Sequence, residues 1–399
     1  MTRKKLVLAY SGGLDTSVVL HQLANEGDWE VIAVLADVGQ DEDLDAARER
    51  AVAAGASEAY IADLQSEFAS EFVAPALAAN ALYERRYPLI SALSRPCIAR
   101  ALVRIASERG AAAVAHGCTG KGNDQVRFEV SIRALDPELE VLAPIRTSRM
   151  NRDEAMEYAA EHGIPVKATK KSPYSIDMNL LGRTAECGVL EDPWNEPPED
   201  AFEITSNPLE AAQEPEQVVV EFDQGLPSAI DGEICDIQSA IEHLDKVGGR
   251  FGFGRIDMVE NRRVGIKSRE IYEAPGALAL ILAHADLEDL TLERDLLHEK
   301  RVIESRWADL VYDGLWFSPL KSAYDAFIAG SQERVCGEVR LRFAPGTCQV
   351  IGRRSPLALY DLDLATYEAS DTFRHEDAEG FVRLFGLGIE TWARKSPIE

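Results

Sequence analysis

"AYSGGLDTSVVL" (residues 9–20) closes one apolar run and opens another. The run before it, "KLVLAY", is short and meets a glycine turn, so it reads as a strand ending at Tyr10. The run after it, "TSVVLHQLANEG", reads as a helix ending at Gly27. Gly12 and Gly13 let the backbone turn sharply and approach a ligand closely. The helix start then presents free N–H groups and the positive end of its dipole, which together make an anion site. Ser11, Thr16 and Ser17 add hydroxyl donors for phosphate oxygens, and Asp15 is placed to position them or to bind through Mg²⁺. No G-x-x-x-x-G-K-[ST] occurs: in "GCTGKGND" a glycine follows Lys121. "GGRFGFG" does not satisfy G-x-G-x-x-G either, so the corner is a phosphate loop of another kind.

Outward from this corner, strand-like and helix-like segments alternate to about residue 165. "EVIAVLAD", "EAYIADL", "AAAVAHG" and "EVLAPI" read as strands two to five. "DEDLDAARERAVAAGA" reads as a helix with acids in its first turn. "NDQVRFEVSIRAL" and stretches around 66–82 and 96–109 are also helical, and Asn151 with Glu154 forms a capping-box pattern. This alternation predicts an α/β fold with a parallel sheet covered by helices on both faces. In such sheets ligands sit beyond the carboxyl ends of the strands. From about residue 170 the texture changes. Residues 191–217 are rich in proline and acids and read as a long surface loop. "VVVEFDQGLPSAIDGE" and "GEVRLRFAPGTCQVIGRRS" read as hairpins, the second turning at Pro345-Gly346, with helices between them around 274–332. This half reads as α+β.

After an acidic, loop-like stretch ("SDTFRHEDAEG"), Phe381, Leu384, Phe385, Gly388, Ile389 and Trp392 fall on one face of a helix. Such a face docks on another subunit or packs back on its own chain. The net charge of −26 over 399 residues disfavours nucleic acid and anionic membrane as partners. "GALALILAHA" (276–285) is half a membrane span and reads as a buried helix. Six scattered cysteines without C-x-x-C, and no signal peptide, fit a reduced cytoplasmic chain.

"SGGLDTS" resembles the pyrophosphate loop of the N-type ATP pyrophosphatases, which cleave ATP between its α and β phosphates and adenylate a carbonyl-type oxygen. "HGCTGKGNDQVRFE" (116–129) follows the fourth strand, so it reaches the same sheet edge. It is similar to the argininosuccinate synthase family, as are "RPCIAR" (95–100), "GRIDMVENR" (254–262), "KSREIYEAPG" (267–276), "SQERV" (331–335) and "IGRRSPLALY" (351–360). Two other branches fit less well. Glutamine-dependent synthetases carry a glutaminase module, often opening on a cysteine, where this chain has Thr2. tRNA-modifying members show basic RNA-binding surface and paired cysteines. A non-catalytic nucleotide sensor on the same fold stays open.

The resemblance implies an adenine nucleotide α-hydrolase type domain over 1–168, a synthetase domain over 169–362 and a C-terminal oligomerisation arm over 363–399 of a homotetramer. It implies ligation of citrulline and aspartate with MgATP through a citrullyl-adenylate, releasing AMP and pyrophosphate. By the family pattern, Ala9, Tyr10, Ser11, Gly12, Gly13, Leu14, Asp15, Thr16 and Ser17, with Ala36 and Gly117, hold ATP. Thr119, Asn123 and Asp124 hold aspartate. Tyr87, Ser91, Asn123, Arg127, Ser175, Thr184, Glu260 and Tyr272 hold citrulline. Thr184 stands where the family has serine, keeping the hydroxyl and adding a methyl. Chemically, Arg127 suits a carboxylate and Glu260 an ammonium, although taken alone each reads equally as a surface ion-pair residue. No side-chain cluster suggests a protein-held metal, and no residue declares itself a general base.

Overall fold

The computed structural model describes residues 3–25, 27, 29–148, 150, 152–165 and 173–395. Strand β1 (Lys4–Ala9), helix α1 (Leu14–Asn25), β2 (Trp29–Asp37), α2 (Leu44–Ala53) and β3 (Glu58–Asp63) alternate as expected. Then α3 (Gln65–Phe68) runs through a π-helical turn at Ala69–Val73 into α4 (Ala74–Ala78). They are followed by α5 (Ile90–Arg109), β4 (Ala113–Ala115), α6 (Asp124–Leu135), β5 (Glu140–Leu142), α7 (Pro144–Ser148) and α8 (Arg152–Glu161). The five strands form one parallel sheet in the order β3-β2-β1-β4-β5.

Successive side chains of a strand point to opposite faces, and β1 shows what this builds. Leu6 and Leu8 join Val18 and Val19 of α1 and Ala51 of α2 in one core, while Val7 joins Leu93, Cys97 and Leu102 of α5 in the other. Burying each such leucine or valine contributes about 1.5–3 kcal/mol. The chain runs outward from β1 to β2 and β3, then crosses back to β4 and β5 on the other side of β1, so a crevice opens beyond the carboxyl ends of β1 and β4.

One expectation changes here. Helix α5 begins at Ile90, not at 96, so Pro96 lies inside it. A proline reads as a helix start because its missing N–H is harmless there, but here the first turn precedes it, entered through Leu89 with a left-handed φ of 60°. The capping pattern at Asn151 and the domain boundary at 168/169 lie outside the described residues.

The second half runs β6 (Ser175–Asn179), β7 (Gly182–Glu186), β8 (Glu216–Asp223), β9 (Leu226–Ile230), β10 (Glu233–Ile234), α9 (Ile237–Arg250), β11 (Arg255–Asn261) and β12 (Lys267–Glu273). It continues with α10 (Pro275–Thr291), α11 (Arg294–Tyr312), α12 (Pro319–Gln332), β13 (Gly337–Ala344) and β14 (Thr347–Arg354). The two predicted hairpins merge into one sheet, β10-β9-β8-β13-β14. "GALALILAHA" lies in α10, with Ala277, Ala279, Leu280 and Ala283 buried. A second antiparallel sheet, β11-β12-β7-β6, was not foreseen. Its strands carry charged residues on one face, so they lack the clean apolar alternation that announces a strand.

The chain divides into two compact units, residues 1–357 and 358–399. The second contains α13 (Leu362–Ala365) and α14 (His375–Lys395). Helix α14 starts inside the stretch that reads as a loop, because Glu376 and Asp377 suit the positive end of a helix dipole. Phe381, Leu384, Phe385, Ile389 and Trp392 are all exposed on it.

Candidate active site

The turn between β1 and α1 is built by its own hydroxyls. Gly12 has φ +74°, and a Cβ there would lie 3.0 Å from both Ala47 Cβ and Arg50 Nη2, so the loop rests directly on α2. Ser17 Oγ donates to the Gly13 carbonyl at 2.8 Å. Its single proton is thereby used, so the Tyr10 hydroxyl, 2.9 Å away, donates to Ser17. The Ser11 and Thr16 hydroxyls lie 3.0 Å apart at the mouth of the turn. Leu14 and Asp15 open α1, with Asp15 exposed. Ala9 ends β1 and Ala36 is the last residue but one of β2, and the Ala36 carbonyl accepts from Gln40 Nε2 at 2.6 Å.

The loop after β4 meets this one. A Cβ on Gly117 would sit 2.8 Å from Thr16 Cγ2. We expect Gly117→Ala to raise the ATP KM about tenfold, the cost of overpacking by ~1–3 kcal/mol. Thr16→Ser keeps the hydroxyl and removes the methyl, so the double variant recovers the wild-type ATP KM. An unrelieved double variant would show that the two loops do not press on each other. Next to Gly117, His116 is fully buried, and its Nδ1 accepts the Cys118 N–H at 3.2 Å. Burial holds its pKa below the ordinary histidine value, so it is neutral. Burial likewise pushes the Cys118 thiol up, which leaves it no nucleophile. Thr119 is exposed at the tip of this loop.

Asn123 and Asp124 begin α6. Burial raises the Asp124 carboxyl, but Arg95 and Arg127 outweigh it and hold the pKa below the usual range. Arg95 Nε donates to Asp124 at 2.8 Å and Arg127 Nη1 at 2.9 Å. Arg95 Nη2 also reaches Asp177 at 2.7 Å, which accepts in turn from Ser91 Oγ at 2.5 Å. Arg127 is not the surface ion-pair residue that it could be in isolation. It is 4% exposed, its Nε donates to the Tyr312 carbonyl at 3.0 Å, and its guanidinium lies 4.9 Å over the Tyr312 ring.

The unforeseen sheet supplies the opposite wall. Residues directly opposite in antiparallel strands share a face, as do positions two apart. The register therefore gathers Ser175 and Asp177 of β6, Thr184 and Glu186 of β7, Glu270 and Tyr272 of β12 and Glu260 of β11 on one face. Thr184, 7% exposed, sits opposite both Asp177 and Tyr272. Ser175, exposed, lies at the strand end.

Glu260 is buried rather than paired at the surface. It accepts from the Tyr272 hydroxyl at 2.8 Å and the Tyr312 hydroxyl at 2.7 Å. The Tyr272 oxygen is also 2.9 Å from Glu270, and one phenolic proton cannot serve two carboxylates at once. Burial first, then Glu270, raise Glu260 to about 7. Glu270 already pairs with Arg262 at 2.8 Å, so it is Glu260, held by two phenols, that calls for a cation, and an ammonium answers it. Tyr87 completes the pocket: its ring stacks on Tyr272 at 4.4 Å and its hydroxyl accepts the Ser91 N–H at 2.8 Å. Tyr87 is delivered by a tight bend in which Glu84 and Arg85 both have positive φ. The bend is tied down by the Tyr83 hydroxyl donating to the Asn261 carbonyl at 2.7 Å. Strain of this kind, about 1–3 kcal/mol per residue, collects at functional sites.

The structure thus brings Asn123, Asp124, Arg127, Tyr87, Ser91, Thr184, Glu260 and Tyr272 together beside the two loops. Sequence reasoning missed Arg95, Asp177, Glu270 and Tyr312. Arg95 opens the quoted "RPCIAR", so the signal was present; Asp177 and Glu270 lay in strands without strand patterning.

Two family models match the chain, described as the arginosuccinate synthase N-terminal HUP domain (residues 5–165) and C-terminal domain (residues 174–392). The chain is 55% identical over 394 residues to the argininosuccinate synthase of Symbiobacterium thermophilum, covering 98% of each chain. It is 54% identical over 387 residues to that of Oceanobacillus iheyensis, covering 97% of this chain and 93% of the relative. With that of Gloeobacter violaceus it shares 53% over 395 residues, 99% of each. The likeness runs the whole length of the sequence and takes in both walls of the crevice: the chain belongs to the argininosuccinate synthase family.

Proposed function

We propose that this chain is a ligase that joins citrulline and aspartate at the expense of ATP, releasing AMP and pyrophosphate. The observation that carries the reading is the meeting of an anion-binding loop, at Gly117 and Thr16, with a pocket that pairs a buried arginine with a cation-seeking carboxylate. An α-amino acid has the matching ends. Ala9 to Ser17, with Ala36 and Gly117, hold ATP. Thr119, Asn123 and Asp124 hold aspartate. Tyr87, Ser91, Asn123, Arg127, Ser175, Thr184, Glu260 and Tyr272 hold citrulline. The ureido oxygen attacks the α-phosphate, and the aspartate amine then displaces AMP. Positioning and fixed charge dominate such a reaction. The loop amides and the end of α1 face the departing pyrophosphate. Mg²⁺ is usually held by phosphates and one or two carboxylates. Asp15, exposed in the first turn of α1, fits that role, and a bound ion would supply charge neutralisation there.

Pyrophosphate release from MgATP with both amino acids, and with each omitted, tests the reading. We expect release to require citrulline, and argininosuccinate to form only with aspartate. ATP binding with no release under any combination would leave a nucleotide sensor. The exposed apolar face of α14 supports association of copies, and we propose a homotetramer, to be checked by light scattering. A mass of one chain would reject it. Among the described residues no helix is long and apolar enough to cross a membrane, and all six cysteines are free. The free thiols support a reducing, cytoplasmic location.

A further inference from the structure

We propose that Tyr312, the last residue of α11, is a positioning residue that sets Arg127 and Glu260 as one rigid pair for the two charged ends of an α-amino acid. The inference rests on the citrulline reading of the pocket and adds a group that touches the pocket's binding residues rather than the reacting atoms.

The direction of every bond at Tyr312 follows from its neighbours. Asn123 Oδ1 accepts the Arg263 backbone N–H at 2.9 Å, which turns Asn123 Nδ2 toward Tyr312. That nitrogen donates to the Tyr312 oxygen at 2.9 Å. The phenolic proton is then left for Glu260, 2.7 Å away. One hydroxyl therefore fixes a residue of the aspartate set and a residue of the citrulline set. The same residue grips Arg127 in two further ways. Its carbonyl, at the negative end of α11, accepts from Arg127 Nε, and its ring lies under the guanidinium. The ring itself is held at 3.5 Å, nearly parallel, against Tyr83. The turn that follows packs so closely on α6 that a Cβ on Gly314, whose φ is +79°, would lie 2.9 Å from Arg127 Cα. Helix α11 is thus seated on the arginine backbone as well as on its side chain.

The charged and titratable groups around Glu260 are Glu270 and Tyr272 of β12, Arg127 of α6, Tyr312 of α11, and Tyr83 and Tyr87 of the bend before α5. Of these, Tyr272 and Tyr312 donate to its carboxylate and favour the charged form, so removing one donor moves the carboxyl upward.

The test is Tyr312→Phe in the full-length enzyme, which keeps the ring, its stack and the carbonyl and deletes only the hydroxyl. The wild type is first assayed for citrulline-dependent pyrophosphate release. If it shows none, the functional reading fails independently of this residue. Given that release, we expect the citrulline KM to rise roughly ten- to thirtyfold, the effect of losing a hydrogen bond to a charged group. The ATP KM should stay within twofold and the melting temperature within a few degrees. The acid limb of the citrulline kcat/KM profile should move to higher pH by half a unit or more. A citrulline KM within twofold of wild type overturns the proposal. So does an unmoved acid limb, or an equal loss for all substrates with a lowered melting temperature, which would mark Tyr312 as a packing residue only.

Discussion

Replacing Asp124 with asparagine is expected to lower aspartate kcat/KM by about 30- to 1000-fold, or roughly 2–4 kcal/mol, while the ATP KM changes less than threefold. In the proposed function, the direct part of this loss is the missing partner for the substrate ammonium. An indirect part comes from Arg127, which is buried, and Arg95, which is partly buried, both donating to Asp124. Removing one member of the ion network leaves the others uncompensated, a cost that falls mainly on the stability of the fold and stays below that of a fully buried pair because Arg95 and Asp124 keep contact with solvent. Asparagine keeps the shape and one acceptor, so the fold should survive with a lower melting temperature. Citrulline binding should weaken as well, by a smaller factor, because Arg127 loses one of its anchors. Initial rates with each substrate varied in turn separate these effects. An aspartate KM equal to wild type would remove Asp124 from the aspartate site.

Glu260→Gln gives the second large effect, on citrulline. Glu260 is buried, and its carboxyl is pushed up to about 7 by burial and then by Glu270. In the proposed function the ionised form holds the ammonium, so wild-type citrulline kcat/KM should fall as pH drops below about 7, approaching a tenfold loss per unit. Glutamine cannot ionise. The variant should be about 100-fold poorer at pH 8 and should show no such acid limb, since a charge-assisted bond of roughly 1.5–3 kcal/mol is gone at every pH. The ATP KM should not follow either change. An acid limb that persists in the variant with the same midpoint would assign the titration to another group.

The nucleotide half of the site was legible in the sequence because its chemistry is local. Gly12 and Gly13, the hydroxyls and the helix start lie within a few residues, and the apolar runs on either side have the period of their elements. The second half was legible only through likeness. Residues 175–186 and 255–273 form strands whose pocket face is lined by Asp177, Thr184, Glu186, Glu260 and Glu270, so function has erased the apolar alternation that marks a strand. Arg127 and Glu260 read as ordinary surface charges because nothing within ten residues of either reveals their burial. Tyr312 closes a helix whose apolar positions give no hint that one hydroxyl reaches two binding residues. The bend from Tyr83 to Leu89 was invisible because left-handed conformations at Glu84, Arg85 and Leu89 are imposed by distant partners, not by glycine.

Those distances bear on how the chain matures. The parallel sheet is closed when β4 pairs with β1, Ala113 against Leu6, whereas Tyr83 is tied to a carbonyl 178 residues away and Asn123 to a hydroxyl 189 residues away. Long loops pay their closure entropy before their contacts form. All residues of the phosphate corner and its sheet neighbour are present in a growing polypeptide once β4 has emerged, yet no chain shorter than 312 residues contains the phenol that joins Asn123 to Glu260. The corner proposed for the nucleotide is thus complete in sequence long before the pocket proposed for the amino acids.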